Sequence, residues 1–241
     1  MSTKIKAFQS QLNILGANIV EDGKWGPRSQ RALDELVSTS VCRVYFDFNM
    51  FRKLFGISKI TQNMVDNINY LFEEFNSLST SESTNPLYIA YMLATTWHET
   101  ALTLMPVKEI GSWQYLSKYD TGRLAKILGN TPEADGDGQL YAGRGYVQIT
   151  GRNNYKKFSS IVGEDLIKNP DFTLRPRVAA RILVEGSLRG MFTGRKLSDY
   201  IKTGSTGEFV EARRVINGTD KASLIASHAI KFLDCLVIEK V

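Results

Sequence analysis

A mainly α-helical fold is predicted for this 241-residue chain. Apolar residues recur at three- and four-residue spacing along most of it, and no strong period-2 alternation interrupts them. Clusters of Gly, Pro and Ser/Thr between those stretches divide the chain into a small N-terminal helical unit, residues 1–40, and a larger unit, residues 41–241.

The first unit opens with Ile5, Phe8, Leu12 and Leu15 at helical spacing, and Gly16 is placed to end the helix. Asp22-Gly23-Lys24-Trp25-Gly26-Pro27 is turn chemistry around one aromatic. A second short helix is predicted from Arg28 to Val37, with Ala32, Leu33 and Leu36 inward. The join falls at Ser38-Thr39-Ser40.

In the larger unit, Phe48, Phe51, Leu54 and Phe55 mark a helix ending at Gly56, and another runs from about Thr61 to Phe75. Leu78 to Asn85 reads as a Ser/Thr loop. Asn85 then caps, and Pro86 starts, a helix closing on Thr96-Trp97-His98-Glu99-Thr100. On that helix Leu87, Ala90, Tyr91, Ala94 and His98 share an apolar face, which turns His98 inward. Glu99 falls on the flank, with the Thr95 hydroxyl one turn away. Partial removal from water favours the protonated carboxyl there, and a hydrogen bond from Thr95 to the ionised form opposes it. The region Gly111 to Gly138 is loop-rich, with a short helix at about Gly122 to Leu128. Asp135-Gly136-Asp137-Gly138 lacks the spaced ligands of a calcium loop and reads as a turn. A short strand is predicted at Tyr146 to Thr150, and helices over Val178 to Met191, Glu208 to Ile216 and Lys221 to Val237.

Composition narrows the function classes. A hydrophobic share of 43% with 23% charged residues fits a globular chain, and no run of about 18 apolar residues exists to span a membrane. Met1-Ser2-Thr3-Lys4-Ile5-Lys6 has no apolar h-region, so production in a cytoplasm and exit by a non-secretory route are expected. The formal net charge of +5 and pI of about 9.1 suit an anionic polymer, a bacterial wall or a nucleic acid. Arg175, Arg177, Arg181, Arg189, Arg195, Lys196 and Lys202 bunch together and read as a solvated helix face. No basic helix is interleaved with stacking aromatics, so a nucleic-acid partner is not expected. Cys42 and Cys235 read as free buried thiols, and His98 and His228 lack zinc-ligand spacing, so no metal is expected.

The second polar segment is Tyr141-Ala142-Gly143-Arg144-Gly145-Tyr146-Val147-Gln148-Ile149-Thr150, followed by Asn154-Tyr155. It concentrates amide, hydroxyl and aromatic groups, and its two glycines let backbone approach a ligand. Gly143-x-Gly145 lacks the third glycine and the βαβ setting of a nucleotide loop, so no cofactor is expected. A carboxylic acid beside a polar, sugar-sized cleft suggests glycosidic bond hydrolysis.

With His98-Glu99-Thr100, the Tyr141–Thr150 run and Asn154-Tyr155, joined by Asn169-Pro170-Asp171 and Val215-Ile216-Asn217-Gly218, the chain resembles plant-type (family 19) chitinases over roughly Asp47 to Val237. Within that family it is most similar to the bacteriophage endolysin branch. The Phe8-Gln9-x-Gln11-Leu12 helix, the Asp22–Pro27 turn, and Ala32 with Leu33 resemble a peptidoglycan-binding helical module, although one helix short. A hairpin that only packs on the main unit is the other reading of these residues. The resemblance implies a two-lobed, lysozyme-like helical catalytic domain with a cleft between the lobes.

It further implies roles. Glu99 is the general acid; Glu109 is the base, with Asp120 as the alternative; Thr150 holds the attacking water. Tyr146, Gln148, Asn154 and Asn217 contact sugars, Trp25 contacts the wall, and Arg144 is structural, paired to a carboxylate behind the cleft. The expected protein is a monomeric muramidase-type endolysin cutting the β-1,4 backbone of peptidoglycan, released to the periplasm through a holin. Chitinase, lytic transglycosylase and a non-catalytic wall-binding protein are the alternatives. Two departures favour peptidoglycan over chitin: the family's disulfides are missing, and its aromatic-rich helix here reads Glu185-Gly186-Ser187-Leu188-Arg189.

Overall fold

A computed structural model describes residues 2–78 and 82–241; the predicted Ser/Thr loop lies partly outside them. The chain begins with α1 (Ser2–Ile14) and α2 (Pro27–Ser38), and β1 (Cys42–Phe46) leads into α3 (Phe48–Phe55), α4 (Gln62–Phe75) and α5 (Pro86–Glu99). A loop-rich lobe follows, with β2 (Val107–Lys108), α6 (Trp113–Leu116), α7 (Gly122–Leu128), α8 (Asp137–Leu140), β3 (Arg144–Gly145) and α9 (Arg152–Val162). The chain returns through α10 (Pro176–Arg189), α11 (Leu197–Tyr200), α12 (Thr206–Glu211) and α13 (Ala222–Asp234), and finishes on β4 (Leu236–Lys240). The mainly α expectation holds.

The helix ends follow from side-chain chemistry. Asn85 accepts from the Leu87 N–H, and Thr61 from Met64, so each caps a helix start. Gly56 closes α3 in the left-handed conformation at φ 65°. In α5 every residue from Pro86 to Trp97 is buried, so the predicted apolar stripe covers the whole circumference. Such a helix belongs at the centre of a core; α13 packs along it, and α10 contacts both α5 and α4. No helix of the described residues is long and apolar enough to cross a membrane.

Three expectations about strands and helices are corrected. The last helix stops at Asp234, and Leu236 to Lys240 pairs antiparallel with β1, Cys42 opposite Lys240 and Phe46 opposite Leu236. The Leu236-Val237-Ile238 run buries alternate residues, a period too short to stand out beside a helix. Tyr146 to Thr150 is a tight return: Arg144 and Ile149 exchange both backbone hydrogen bonds, and only Arg144 and Gly145 pair with β2. The predicted helix over Glu208 to Ile216 breaks into α12 and a 3-10 turn, Ala212–Val215.

The N-terminal hairpin shares the apolar core of the larger unit. Lys4 donates to the Asp234 carbonyl at 3.2 Å. Gln30 donates to the Thr84 hydroxyl at 2.8 Å, and Thr84 donates to Asp34 at 2.6 Å. Trp25, predicted as a wall contact, is 4% exposed: it packs edge-on against Phe8 and donates its indole N–H to Gln30. Its ring completes the hairpin's own core, which takes it away from any ligand surface. Cys42 and Cys235 are both free and buried.

Candidate active site

α5 delivers Glu99 to the end of the most buried helix in the lobe. Thr100 stops the helix there: its hydroxyl donates to the Thr96 carbonyl at 2.7 Å and accepts from the Leu104 N–H at 3.0 Å. The chain then turns through Ala101, Leu102 and Leu104, all with positive φ (51°, 66° and 54°). Three non-glycine residues in that region are costly, and such strain collects where geometry is functionally constrained.

The Glu99 side chain is 19% exposed, and Arg213 Nη2 lies 2.8 Å from its Oε1. Arg213, from the 3-10 turn after α12, is itself 2% exposed, and its Nε donates to the Asp220 carbonyl at 3.0 Å. The half-hidden flank position expected for Glu99 is found, with Arg213 as its partner in place of Thr95. Arg213 Nη1 is buried without a hydrogen-bond partner among the described residues. His98, expected inward, is half-buried at the last turn.

Glu109 extends the β2–β3 ribbon: its N–H donates to the Gly143 carbonyl at 2.7 Å. Its Oε2 accepts from the Gly143 N–H at 3.1 Å, and its Oε1 from the Tyr119 hydroxyl at 3.1 Å. Lys118 Nζ stands 4.0 Å from Oε1. Burial pushes the Tyr119 phenol up from its ordinary value, so it stays protonated and donates.

Gly143 is where the second polar segment meets Glu109. A Cβ there would lie 2.9 Å from Gln148 Oε1, 3.2 Å from Glu109 Oε2 and 3.3 Å from Thr150 Oγ1. Three side-chain oxygens from two chain segments thus crowd against Gly143, and any side chain there would press into them. Gln148 is held at φ 53°, and its amide donates to the Val107 and Gly145 carbonyls at 2.8 and 3.1 Å. Its Oε1 therefore faces the cluster. Thr150 donates to the Gln148 carbonyl at 3.0 Å, which fixes its hydroxyl beside the carboxylate.

The remaining residues fall elsewhere. Tyr146, expected as an aromatic wall, is 1% exposed and donates to Asn67 at 3.0 Å. It is a buried pillar behind the ribbon. Asn154 donates its side-chain N–H to the Thr150 carbonyl at 2.8 Å, so it steadies Thr150 from the next turn. Asn217 is exposed, and its N–H closes the turn on the Arg213 carbonyl. Asp120 is 3% exposed and accepts from the Gly136 and Gly138 N–H groups at 3.1 and 2.9 Å. Those bonds make Asp120 a loop clamp and leave Glu109 as the carboxylate facing the cluster. Arg144 is paired as expected, Nε to Asp171 at 2.7 Å, and also donates to Leu140 and Ala142 carbonyls.

The three arginines of the basic run that lie on α10 are paired. Arg177 pairs with Glu73, Arg181 with Glu74 and Glu185, and Arg189 with the buried Glu185. Arg177 and Arg181 thereby tie α10 to α4. Arg213 was missed by sequence reasoning. The available signal was its place four residues before the Asn217-Gly218 motif, in a frame of Phe209, Ala212 and Val215 that are all buried.

Known proteins share the family and fold of this chain. The family model described as chitinase class I matches residues 61–182, a span holding Glu99, Glu109, Gln148, Thr150 and Asn154. A glycosyl hydrolase family 19 domain-containing protein of Haemophilus influenzae is 50% identical over 42 residues, covering 17% of this chain and 21% of that protein. This chain's match therefore spans about a fifth of the curated relative. Chitinase C from Streptomyces griseus superposes with a TM-score of 0.51 at 21% identity, over 76% of this chain and 72% of that one. A bacterial family 19 chitinase gives a TM-score of 0.48 at 20% identity, over 78% and 92% of the respective chains.

Proposed function

Because the chain belongs to glycoside hydrolase family 19, the chitinase class I family, we propose that it hydrolyses the β-1,4 glycan backbone of bacterial peptidoglycan as a muramidase-type endolysin. The observation that carries the chemistry is the convergence of Glu109, Gln148 and Thr150 oxygens on Gly143. A water held by these oxygens can give a proton to the Glu109 carboxylate while the Thr150 hydroxyl orients it. Its oxygen then bonds to the anomeric carbon as the glycosidic bond breaks. Glu99 supplies the proton that the leaving oxygen needs, and Glu109 ends the step protonated. Arg213, 2.8 Å from Glu99, orients the carboxyl and stabilises the carboxylate left once the proton has been given up.

Peptidoglycan is favoured over chitin by three features. The N-terminal hairpin resembles a wall-binding module, and the pI of about 9.1 suits an anionic wall. In the segment where the chitinases carry aromatics, Glu185 is fully buried between Arg181 and Arg189, and Gly186 makes room for Phe192. The endolysin reading places the enzyme in the host cytoplasm until holin-type release lets it reach the wall. A base held beside the Thr150 hydroxyl, which can orient a water, supports hydrolysis over ring closure by the sugar itself.

Chitinase is the second reading, favoured by the family description. Parallel digestion of purified peptidoglycan and chitin, with mass spectrometry of the products, separates them. Muropeptides with a reducing muramic acid end are expected. Release from chitin alone, or anhydro ends, overturns the muramidase assignment.

A further inference from the structure

The β2–β3 ribbon has a second face. Lys108 and Glu109 are consecutive extended residues, so their side chains leave the ribbon on opposite sides. Behind the Glu109 face lies a cleft of about 610 Å³ lined by Lys108, Trp113, Asp135, Arg144, Lys168 and Asp171, among others. Its lining is unusual for a site that holds a neutral polysaccharide: three cations and two carboxylates surround one exposed indole. Trp113 is 66% exposed.

The two lysines are held loosely enough to exchange partners, while Arg144 stays paired to Asp171 at 2.7 Å. Lys168 sits 3.6 Å from Asp165 with both side chains largely exposed, and Lys108 sits 3.9 Å from Asp171 in the same condition. Exposed pairs of this kind are worth less than about 1 kcal/mol, so a ligand carboxylate can replace the protein's own at little cost. Asp135 is the complementary group. The Thr131 hydroxyl and the Asp137 N–H donate to it and hold its carboxyl below the usual range, so it stays anionic at neutral pH. Arg144 forms the 3% exposed floor.

We propose that this cleft binds the stem peptide carried by the muramic acid residues of peptidoglycan, its free carboxylates against Lys168 and Lys108 and a side-chain ammonium against Asp135. The proposal rests on the peptidoglycan reading above and names how that substrate is distinguished. Chitin carries no charged branch and gains nothing from such a lining. A peptide with both signs of charge matches it, and its apolar portion packs on Trp113.

The test compares release of reducing ends from intact peptidoglycan and from the same glycan stripped of stems by an amidase. Wild-type enzyme is expected to be faster on the intact wall. Lys168→Glu is expected to lower the intact-to-stripped rate ratio by about fivefold, the scale of one exposed ion pair. An unchanged ratio in Lys168→Glu overturns the stem site while leaving the wall-hydrolase reading standing; no release from either glycan overturns both. A binding readout backs this up. Trp25 and Trp97 are 4% and 6% exposed, so indole fluorescence quenched on adding a soluble stem tetrapeptide reports Trp113. Quenching that saturates, and is lost in Trp113→Phe, supports the site; no response at millimolar peptide removes it.

Discussion

Glu99 and Glu109 are equally exposed, 19% and 20%, and are held by opposite means. Glu99 ends a helix buried on all sides and meets a single buried guanidinium. Glu109 lies on a two-residue ribbon in a loop-rich lobe, and meets a backbone N–H, a phenol and a distant ammonium. The first arrangement is rigid because the core around it is close-packed. The second is rigid only through hydrogen bonds between segments far apart in sequence, Glu109 to Gly143 and Gln148 to Val107. One carboxyl is thus fixed by packing and the other by a local network. The two should fail differently when perturbed.

The largest effect is expected at Glu99. Glu99→Gln keeps the shape and removes the transferable proton, so hydrolysis should fall by about 10²–10⁴-fold while binding to sedimented walls persists. Turnover within tenfold of wild type would falsify the acid assignment. Arg213→Met comes next and reads out as stability. Removing one member of a buried ion pair costs about 3–5 kcal/mol; because Glu99 keeps some solvent, the lower end of that range is expected in urea melts. A loss below about 1 kcal/mol would mean that Arg213 does not fix Glu99 through a desolvated pair.

Glu109→Gln should slow turnover by about 10²-fold with little change in melting temperature, since its contacts are polar and partly solvated. Gly143→Ala sharpens the comparison further. The new methyl enters the space between Gln148, Glu109 and Thr150 without removing any of them. If the network is what positions Glu109, kcat should drop nearly as far as in Glu109→Gln while Glu99 stays in place. An unimpaired Gly143→Ala enzyme means that Glu109 does not depend on this crowded network for its position.

These contrasts track what sequence could reveal. The helical core was legible because periodicity reports burial directly: α3 ends at the predicted Gly56, α4 starts next to Thr61 as expected, and α5 starts at the predicted cap Asn85. Gln148, Thr150 and Glu109 were legible as a motif, and their convergence on Gly143 was not, because a two-residue ribbon leaves no period to read. Arg213 was hidden for a different reason. A buried arginine in a short 3-10 turn looks in sequence like its exposed neighbour Arg214, and only the fold shows which one faces Glu99. Tyr146 and Trp25 were misplaced by the same ambiguity in reverse. Aromatics near a motif suggest ligand contact, yet both have found hydrogen-bond partners inside, Asn67 and Gln30, and so bury fully.

The smallest predicted effect uses a third carboxylate as a control for the other two. Glu208 accepts backbone N–H bonds from Lys202, Thr203, Gly204 and Ser205, and so caps α12, the helix that runs directly into the Arg213 turn. Burial alone raises its carboxyl, but those backbone bonds outweigh it and hold the group below its ordinary value of 4.5. A group depressed in the folded state contributes stability that is complete above the unfolded value. That stability disappears as pH falls through the folded value. Melting temperature should therefore decline below about pH 4.5, and Glu208→Gln should flatten that decline, since an amide cannot titrate. Because α12 positions Arg213 through the backbone, the same protonation should loosen the packed side of the site before the ribbon side. Acid loss of activity in Glu208→Gln that matches wild type would place the pH-sensitive element at the Glu109 network instead.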